Sequence, residues 1–327
     1  AGDIGAVAKL VNTGTGDTLC APSCPVTLPG VPFDLPCLSR AVNTTKKGDE
    51  EKVATGLARL CEEDPTIKVE KNTETGELIL SGLGEQHLDI IVSRLKAKFG
   101  AEVTLTEPEV AYRETIRRKV KVQGRHKKQS GGRGQFGDCW IEMEGLPRGT
   151  GYQFEDGIVG GVIPRQYIPA IDKGIQESAA RGYLAGCPVV DFKVRVYDGS
   201  YHTVDSSEMA FKMAGSIAFK AAMAQLKTIL LEPVVQMTVT IPDEYMGDVI
   251  GDLSSRRGKV LGSDSQGGLT ELKVYVPMSE VLRYAPDLRS MTGGQGTFTM
   301  EFDHYEEAPQ PVVDKVVAAY QAAKAAE

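Results

Sequence analysis

Apolar residues recur along the chain with a period that changes several times, and each change marks an element. Phe33 to Val42 reads as a strand. Asp49-Glu50-Glu51 then places acids at a helix start, where the helix macrodipole favours them, and Val53, Leu57, Leu60 and Cys61 form the apolar stripe. Thr66–Lys71 and Glu77–Ser81 are strands joined through Asn72-Thr73-Glu74-Thr75-Gly76. Leu88, Ile91, Val92, Leu95 and Phe99 share one face of a second helix that Gly100 ends, and Ala101–Thr106 closes the segment as a strand. The order βαββαβ is the split βαβ, or ferredoxin-like, arrangement.

The same order returns near the other end. Val235, Met237, Val239 and Ile241 alternate with polar residues, and Met246, Val249, Ile250 and Leu253 mark a helix stopped by Gly258. Lys259–Ser263 and Leu269–Val276 are strands, Ser279–Arg289 a helix, and Thr297–Phe302 a strand. Pro286 lies inside that helix pattern and should kink or shorten it. Between the two repeats, one helix opens near Pro169 with Ile171, Ile175 and Ala179 on one side. Another is announced by Asp205-Ser206-Ser207-Glu208, a capping-box pattern with Asp205 or Ser206 as the cap, and continues through Phe211, Ala214, Ala218, Ala222 and Leu226. That stripe, largely alanine, suits close packing on a sheet. A last helix from Pro311 to about Ala325 presents Val312, Val313, Val316, Val317 and Tyr320 for docking.

The first 30 residues read differently. Ile4–Leu10 can form a strand and Asn12–Asp17 a turn, but a lone strand is not stable by itself, so this stretch is expected to be the tail of another domain. The expected division is 1–30, 31–107, 108–229, 230–308 and 309–327, with polar joints at Glu107-Pro108 and Glu232-Pro233.

Charge sharpens this outline. The formal net charge of the 327 residues is −7, which argues against a protein coated all over with nucleic acid. Yet nine Lys or Arg fall between Arg113 and Arg133 against one acid, Glu114, so a localised basic device sits in an anionic body. Apolar runs such as Ile229-Leu230-Leu231 are far too short to span a membrane, and no charged flank precedes an apolar stretch at Ala1-Gly2-Asp3, so cytosol is the expected compartment. The six cysteines contain no CxxC pair and four histidines are scattered, so reduced thiols and no metal site are expected.

The densest chemical signal is Gly124–Gly137. Five glycines let a backbone approach phosphates closely, the basic patch Arg125, His126, Lys127 and Lys128 supplies charge, and Gln129, Ser130 and Arg133 supply donors. Polyanion binding, and RNA in particular, is the expectation. No GxxxxGK[ST] string occurs, so nucleotide chemistry has no phosphate loop here. His202, Asp205 and Ser206 are crowded within five residues, which does not establish a triad, and a turn histidine with a polar contact is the reading. His87, on the polar side of a helix, and His304, beside acids, read as structural.

Several long motifs together resemble the elongation factor G family. They are Leu80–Leu88, Lys127–Gly137, Gly160-Gly161-Val162-Ile163-Pro164, Gly199–Glu208, Gly247–Leu253 and Tyr305-Glu306-Glu307-Ala308-Pro309. The resemblance covers nearly the whole chain. It implies an α+β multidomain protein with two ferredoxin-like domains flanking an α/β domain of the ribosomal protein S5 domain 2-like type. A remnant of the β-barrel second domain would lie at the N-terminus, and the last helix would pack back on the α/β domain. It implies a monomeric, ribosome-binding translocation factor that meets rRNA of both subunits, tRNA and mRNA, with no membrane partner. The tip is expected at Gln129, Ser130, Gly131, Gly132, Arg133, Gly134 and His202, with Gln129 and His202 meeting the codon–anticodon region. No cofactor is expected in this chain, and GTP with Mg2+ would belong to a separate GTPase domain. Thr45–Asp49 and Phe136-Gly137-Asp138 are similar to a second, paralogous branch, and Gly293-Gly294-Gln295-Gly296 is neutral where the family carries Lys and Arg. A ribosome-recycling or tetracycline-protection relative is the nearest alternative. A GHMP-type small-molecule kinase is the remote one, and the phosphate loop and base it would need are not in the sequence.

Overall fold

The computed structural model describes residues 2–129 and 134–326. Its elements run β1 (Leu38–Thr44), α1 (Glu50–Glu63), β2 (Lys68–Lys71), β3 (Leu78–Gly82), α2 (Glu85–Phe99), β4 (Val103–Thr106), β5 (Arg113–Thr115), β6 (Val120–Lys128), β7 (Gln135–Gly145), β8 (Tyr152–Asp156), α3 (Ile168–Arg181), β9 (Phe192–Ser200), α4 (Glu208–Gln225), β10 (Ile229–Pro242), α5 (Met246–Ser255), β11 (Lys259–Gln266), β12 (Leu269–Pro277), α6 (Tyr284–Met291), β13 (Thr297–Glu307) and α7 (Gln310–Ala326). They form two compact units: residues up to Val110 with Val234–Asp303, and Ala111–Pro233 with His304 onward.

The first unit holds both βαββαβ repeats. One sheet has the order β2-β3-β1-β4, the other contains β11-β12-β10-β13. In the first repeat β1 runs antiparallel to β3, with Leu38 opposite Gly82 and Val42 opposite Leu78. Val53, Leu57 and Leu60 of α1 and Leu88, Ile91 and Leu95 of α2 bury the stripes read from the sequence. Gly100 takes φ 61°, the left-handed geometry that ends α2. Pro286 does shorten its helix: a 3-10 turn at Met278–Glu280 is separate from α6, and Pro286 falls in the first turn of α6, where a missing N–H breaks no intrahelical bond.

One expectation fails. Residues 2–37 contain no helix or strand, so the strand read at Ile4–Leu10 does not form, and Ile4 is 99% exposed. Among the described residues no strand pairs with it, and an apolar alternation without a partner strand has no ladder to join. The turn at Asn12–Asp17 is present, closed by Gly14 N–H donating to Asp17 Oδ2 at 2.7 Å.

In the second unit the sheet order is β6-β7-β9-β8, with β8 and β9 parallel and the other pairs antiparallel. Helices α3 and α4 supply Ile171, Ile175, Phe211, Ala214, Ala218 and Ala222 to a core shared with Val122, Ile141, Val194 and Val196 of the sheet. The alanine stripe brings α4 very close. A Cβ on Gly124 would lie 2.2 Å from the Ala214 carbonyl oxygen, and one on Gly137 would lie 2.5 Å from that of Ala210. The outer glycines of the glycine-rich segment therefore serve helix packing, a correction to their reading as phosphate-approaching backbone. Elsewhere in this unit α7 places Val312, Val313, Val316 and Val317 against Ala185, Leu230 and Ala308.

Glu114, on β5, is fully buried, and its carboxylate accepts from the N–H groups of Tyr183, Leu184, Ala185 and Cys187 at 2.8–3.2 Å. Four converging amides stand in for a counter-cation. Glu114→Ala strips them of their acceptor, and a loss of roughly 4 kcal/mol is expected. Denaturant unfolding followed by circular dichroism tests this; a midpoint equal to that of the parent chain refutes it.

Candidate nucleic-acid interface

The candidate residues collect at one end of the second unit. Arg125, His126, Lys127 and Lys128 lie at the end of the β6 ladder, not in a loop, and are paired with Asp138, Gly137, Phe136 and Gln135 of β7. Gln129 follows, exposed, and Gly134 leads back into β7. Ser130, Gly131, Gly132 and Arg133 lie outside the described residues. Strand alternation splits the basic patch. Arg125 and Lys127 point away from the helices, while His126 is half-buried and its Nε2 lies 3.0 Å from Gln135 Oε1.

The second loop, Tyr201–Ser206, is tied to the first by hydrogen bonds. Ser206 Oγ donates to Phe136 O at 2.9 Å and accepts from His202 N–H at 2.9 Å. Asp205 O accepts from Phe136 N–H at 2.9 Å, and Asp205 Oδ1 accepts from Gly134 N–H at 3.0 Å. The sequence reading of Asp205 or Ser206 as helix cap is therefore corrected: Ser207 caps α4 by accepting from Ala210 N–H at 3.2 Å, leaving the two earlier side chains free to join the loops.

The N–H groups of Val204 and Asp205 both point at His202 Nδ1, at 3.3 and 3.2 Å. Nδ1 is thus an acceptor in the neutral ring, and the proton resides on Nε2, which has no partner among the described residues. Asp205 Oδ2, 3.5 Å from Nδ1, would pair with that nitrogen only in a protonated ring that has given up both amides. Ser206 Oγ serves backbone groups, so the three side chains do not form a nucleophile–base relay. Phe136 lies edge-on to His202 with centroids 6.5 Å apart and beneath the Arg125 guanidinium at 5.6 Å.

The basic run is less uniform than its sequence. Lys119 reaches Glu142 at 2.6 Å and Glu144 at 3.2 Å, Lys121 reaches Glu142 at 3.3 Å, and Arg117 reaches Glu307 at 2.5 Å. Bonding to Lys119 holds the Glu142 carboxyl below its ordinary range. Arg118, Arg125, Lys127 and Lys128 have no ion pair among the described residues, so three of these four unpaired cations lie toward the loops and one precedes β6.

Other chemistry is poorly supplied. Burial pushes the Cys139 thiol, beside this site, up to about 12, far from thiolate chemistry. All six cysteines are free. Among the described residues no three His, Cys, Asp or Glu side chains converge as metal ligands, and no helix is long and apolar enough to cross a membrane. His87 accepts from Leu83 N–H through Nδ1 at 3.2 Å and bonds Asp64 through Nε2 at 3.1 Å, which ties α2 to the end of α1.

Two ferredoxin-like repeats, on either side of an α/β unit in sequence, define an α+β multidomain protein, and the family models that match it are those of a translation elongation factor. Three family models match in order: Elongation Factor G, domain III over residues 33–107, Elongation factor G, domain IV over 108–227, and Elongation factor G C-terminus over 229–316. The chain belongs to the elongation factor G family. It is also similar to a crystal structure of a protein from Thermus thermophilus, with 44% identity and a TM-score of 0.76 over 90% of this chain and 44% of that one. The chain thus spans less than half the length of that relative.

Asp205 and Ser206 both reach across, to Gly134 and Phe136, and the sequence offered only their position in a helix-start pattern as a signal. Asp205→Ala leaves Gly134 N–H without its acceptor. A stability loss of about 1 kcal/mol and faster amide exchange at Gly134, with α4 amides unchanged, are expected. Unaltered Gly134 exchange by NMR would count against the tie.

Proposed function

We propose that this chain is the ribosome-contacting part of a GTP-driven factor that moves tRNA and mRNA, with its two-loop end meeting the codon–anticodon duplex. The carrying observation is the concentration of uncompensated charge and free donors at that end: Arg125, Lys127 and Lys128 behind, exposed Gln129 and the His202 Nε2–H in front. Phosphate contacts supply affinity without sequence preference, and amide and imidazole donors add short-lived bonds that break as the duplex moves. GTP binding and hydrolysis belong, in this reading, to a part of the longer protein outside these residues, because no phosphate loop occurs in this chain. The ferredoxin-like repeats relay the nucleotide state.

His202→Ala in the longer protein should slow single-turnover translocation several-fold, as loss of a hydrogen bond of about 1 kcal/mol implies, with GTP hydrolysis retained. A variant of lowered melting temperature and unchanged translocation would assign His202 to loop structure instead.

Salt dependence gives an independent measure. If Arg125, Lys127, Lys128 and Arg133 each displace a counterion from single-stranded RNA, log K should fall against log salt with a slope of roughly −2.8. A slope near zero in a binding titration of the chain would show the basic end to be a solvated surface.

A further inference from the structure

One large surface has no role in the two-loop reading. The sheet face opposite α3 and α4 is not covered, and it carries three aromatic rings, Phe136, Trp140 and Tyr197, none of which belongs to the core beneath. Cross-strand neighbours on this face are Lys127 with Phe136, Arg125 with Asp138, Gln123 with Trp140, and Lys121 with Glu142.

The face divides in two. Away from the loops it is neutralised: Lys121 pairs with Glu142, and Lys193 and Arg195 both pair with Glu155, at 2.6 and 3.2 Å. Toward the loops the cations Arg125 and Lys127 stand without an ion pair among the described residues. The carboxylates there are otherwise engaged. Asp138 is buried and accepts from Gln123 Nε2 at 2.8 Å and Ser200 Oγ at 2.7 Å, while Asp198 accepts from Gly199 N–H at 2.8 Å. Arg125 lies over the Phe136 ring at 5.6 Å and Lys121 over the Tyr197 ring at 5.2 Å, so aromatic rings and cations, the two components of a base-stacking platform, adjoin on one open sheet.

We propose that the half of this face nearest the loops binds single-stranded RNA, with bases stacked on Phe136 and Trp140 and phosphates against Arg125 and Lys127. The spacing favours a splayed strand over a helix. Phe136 and Trp140 are four residues apart on one strand, about 13 Å at ~3.3 Å per residue. That is nearly four times the roughly 3.4 Å rise between stacked bases. Rings so placed cannot hold neighbours within a stacked helix, whereas unstacked nucleotides can reach both. The inference rests on the reading that the basic end meets RNA, and extends that contact from the loops along the sheet.

Trp140 is the single tryptophan of the chain, so its emission reports this face directly. The whole chain should be titrated with an unstructured 12-nucleotide RNA, following tryptophan emission and, with a labelled strand, anisotropy. The expected result is at least twofold quenching that saturates where anisotropy does. Duplex RNA and inorganic polyphosphate should bind, if at all, without that quenching. Phe136→Ala should weaken the single strand about tenfold, and Arg125→Gln, a surface change with no core contact, should weaken it and reduce the quenching. Anisotropy showing binding while Trp140 emission stays constant would overturn the platform and leave the two-loop reading standing. No binding by either signal would overturn both. Equal quenching by polyphosphate would reduce the face to a charge effect and also overturn the proposal.

Discussion

The second unit depends on one close approach, that of α4 to the backbone of β6 and β7. Gly124 and Gly137 face this helix, and a side chain at either would collide with the carbonyl of Ala214 or Ala210. Ala214 and Ala218 keep the helix surface equally low. Because α4 begins directly after the Ser207 cap, seating the helix also seats residues 201–206, and because β6 and β7 are the opposite partner, it seats the ends of those strands at Lys128 and Gln135. Two loops distant in sequence are thereby brought together by a contact that uses neither. Short-range bonds through Asp205 and Ser206 then suffice to join them, and the donors at the loop surface remain free.

This arrangement explains why the basic run is dense in sequence yet selective in space. Exposed ion pairs contribute little to stability, typically about 0–1 kcal/mol. The pairs of Lys119 and Lys121 with Glu142 are better understood by what they do to the field: they cancel charge along the far part of β6, so the unpaired cations of the basic run lie mostly toward the loop end. An acidic protein can in this way carry a cationic tip without a broad basic surface.

Much of this was legible in the sequence. The two βαββαβ repeats, the stripes of α1, α2, α3 and α4, the αL glycine after α2 and the break at Pro286 follow from period and local geometry, which a single chain records directly. Three features were not legible, each because a long-range partner decides it. The glycines at 124 and 137 look identical to loop glycines until α4 is placed beside them. Asp205 and Ser206 look like caps because a capping pattern describes neighbours only, and their true partners, Gly134 and Phe136, are about seventy residues away. Ile4–Leu10 has strand alternation but no strand to pair with, and alternation alone buries nothing.

The order of groups at the loop end has its own physical logic. Exposed Arg125, Lys127 and Lys128 lie on β6, and exposed Gln129 and His202, which offer hydrogen bonds, lie next to the loops. A charge on a long side chain acts over about a Debye length and holds phosphates wherever they lie. A hydrogen bond acts only at contact and is lost within an ångström of movement. In the proposed RNA contact, attraction would therefore come from groups insensitive to register, and positional reading from groups that release readily. Two amides directed at Nδ1 favour the His202 tautomer that leaves Nε2–H as its outward donor, so in the proposed contact this donor would be pre-set before any partner arrives and little ordering would remain.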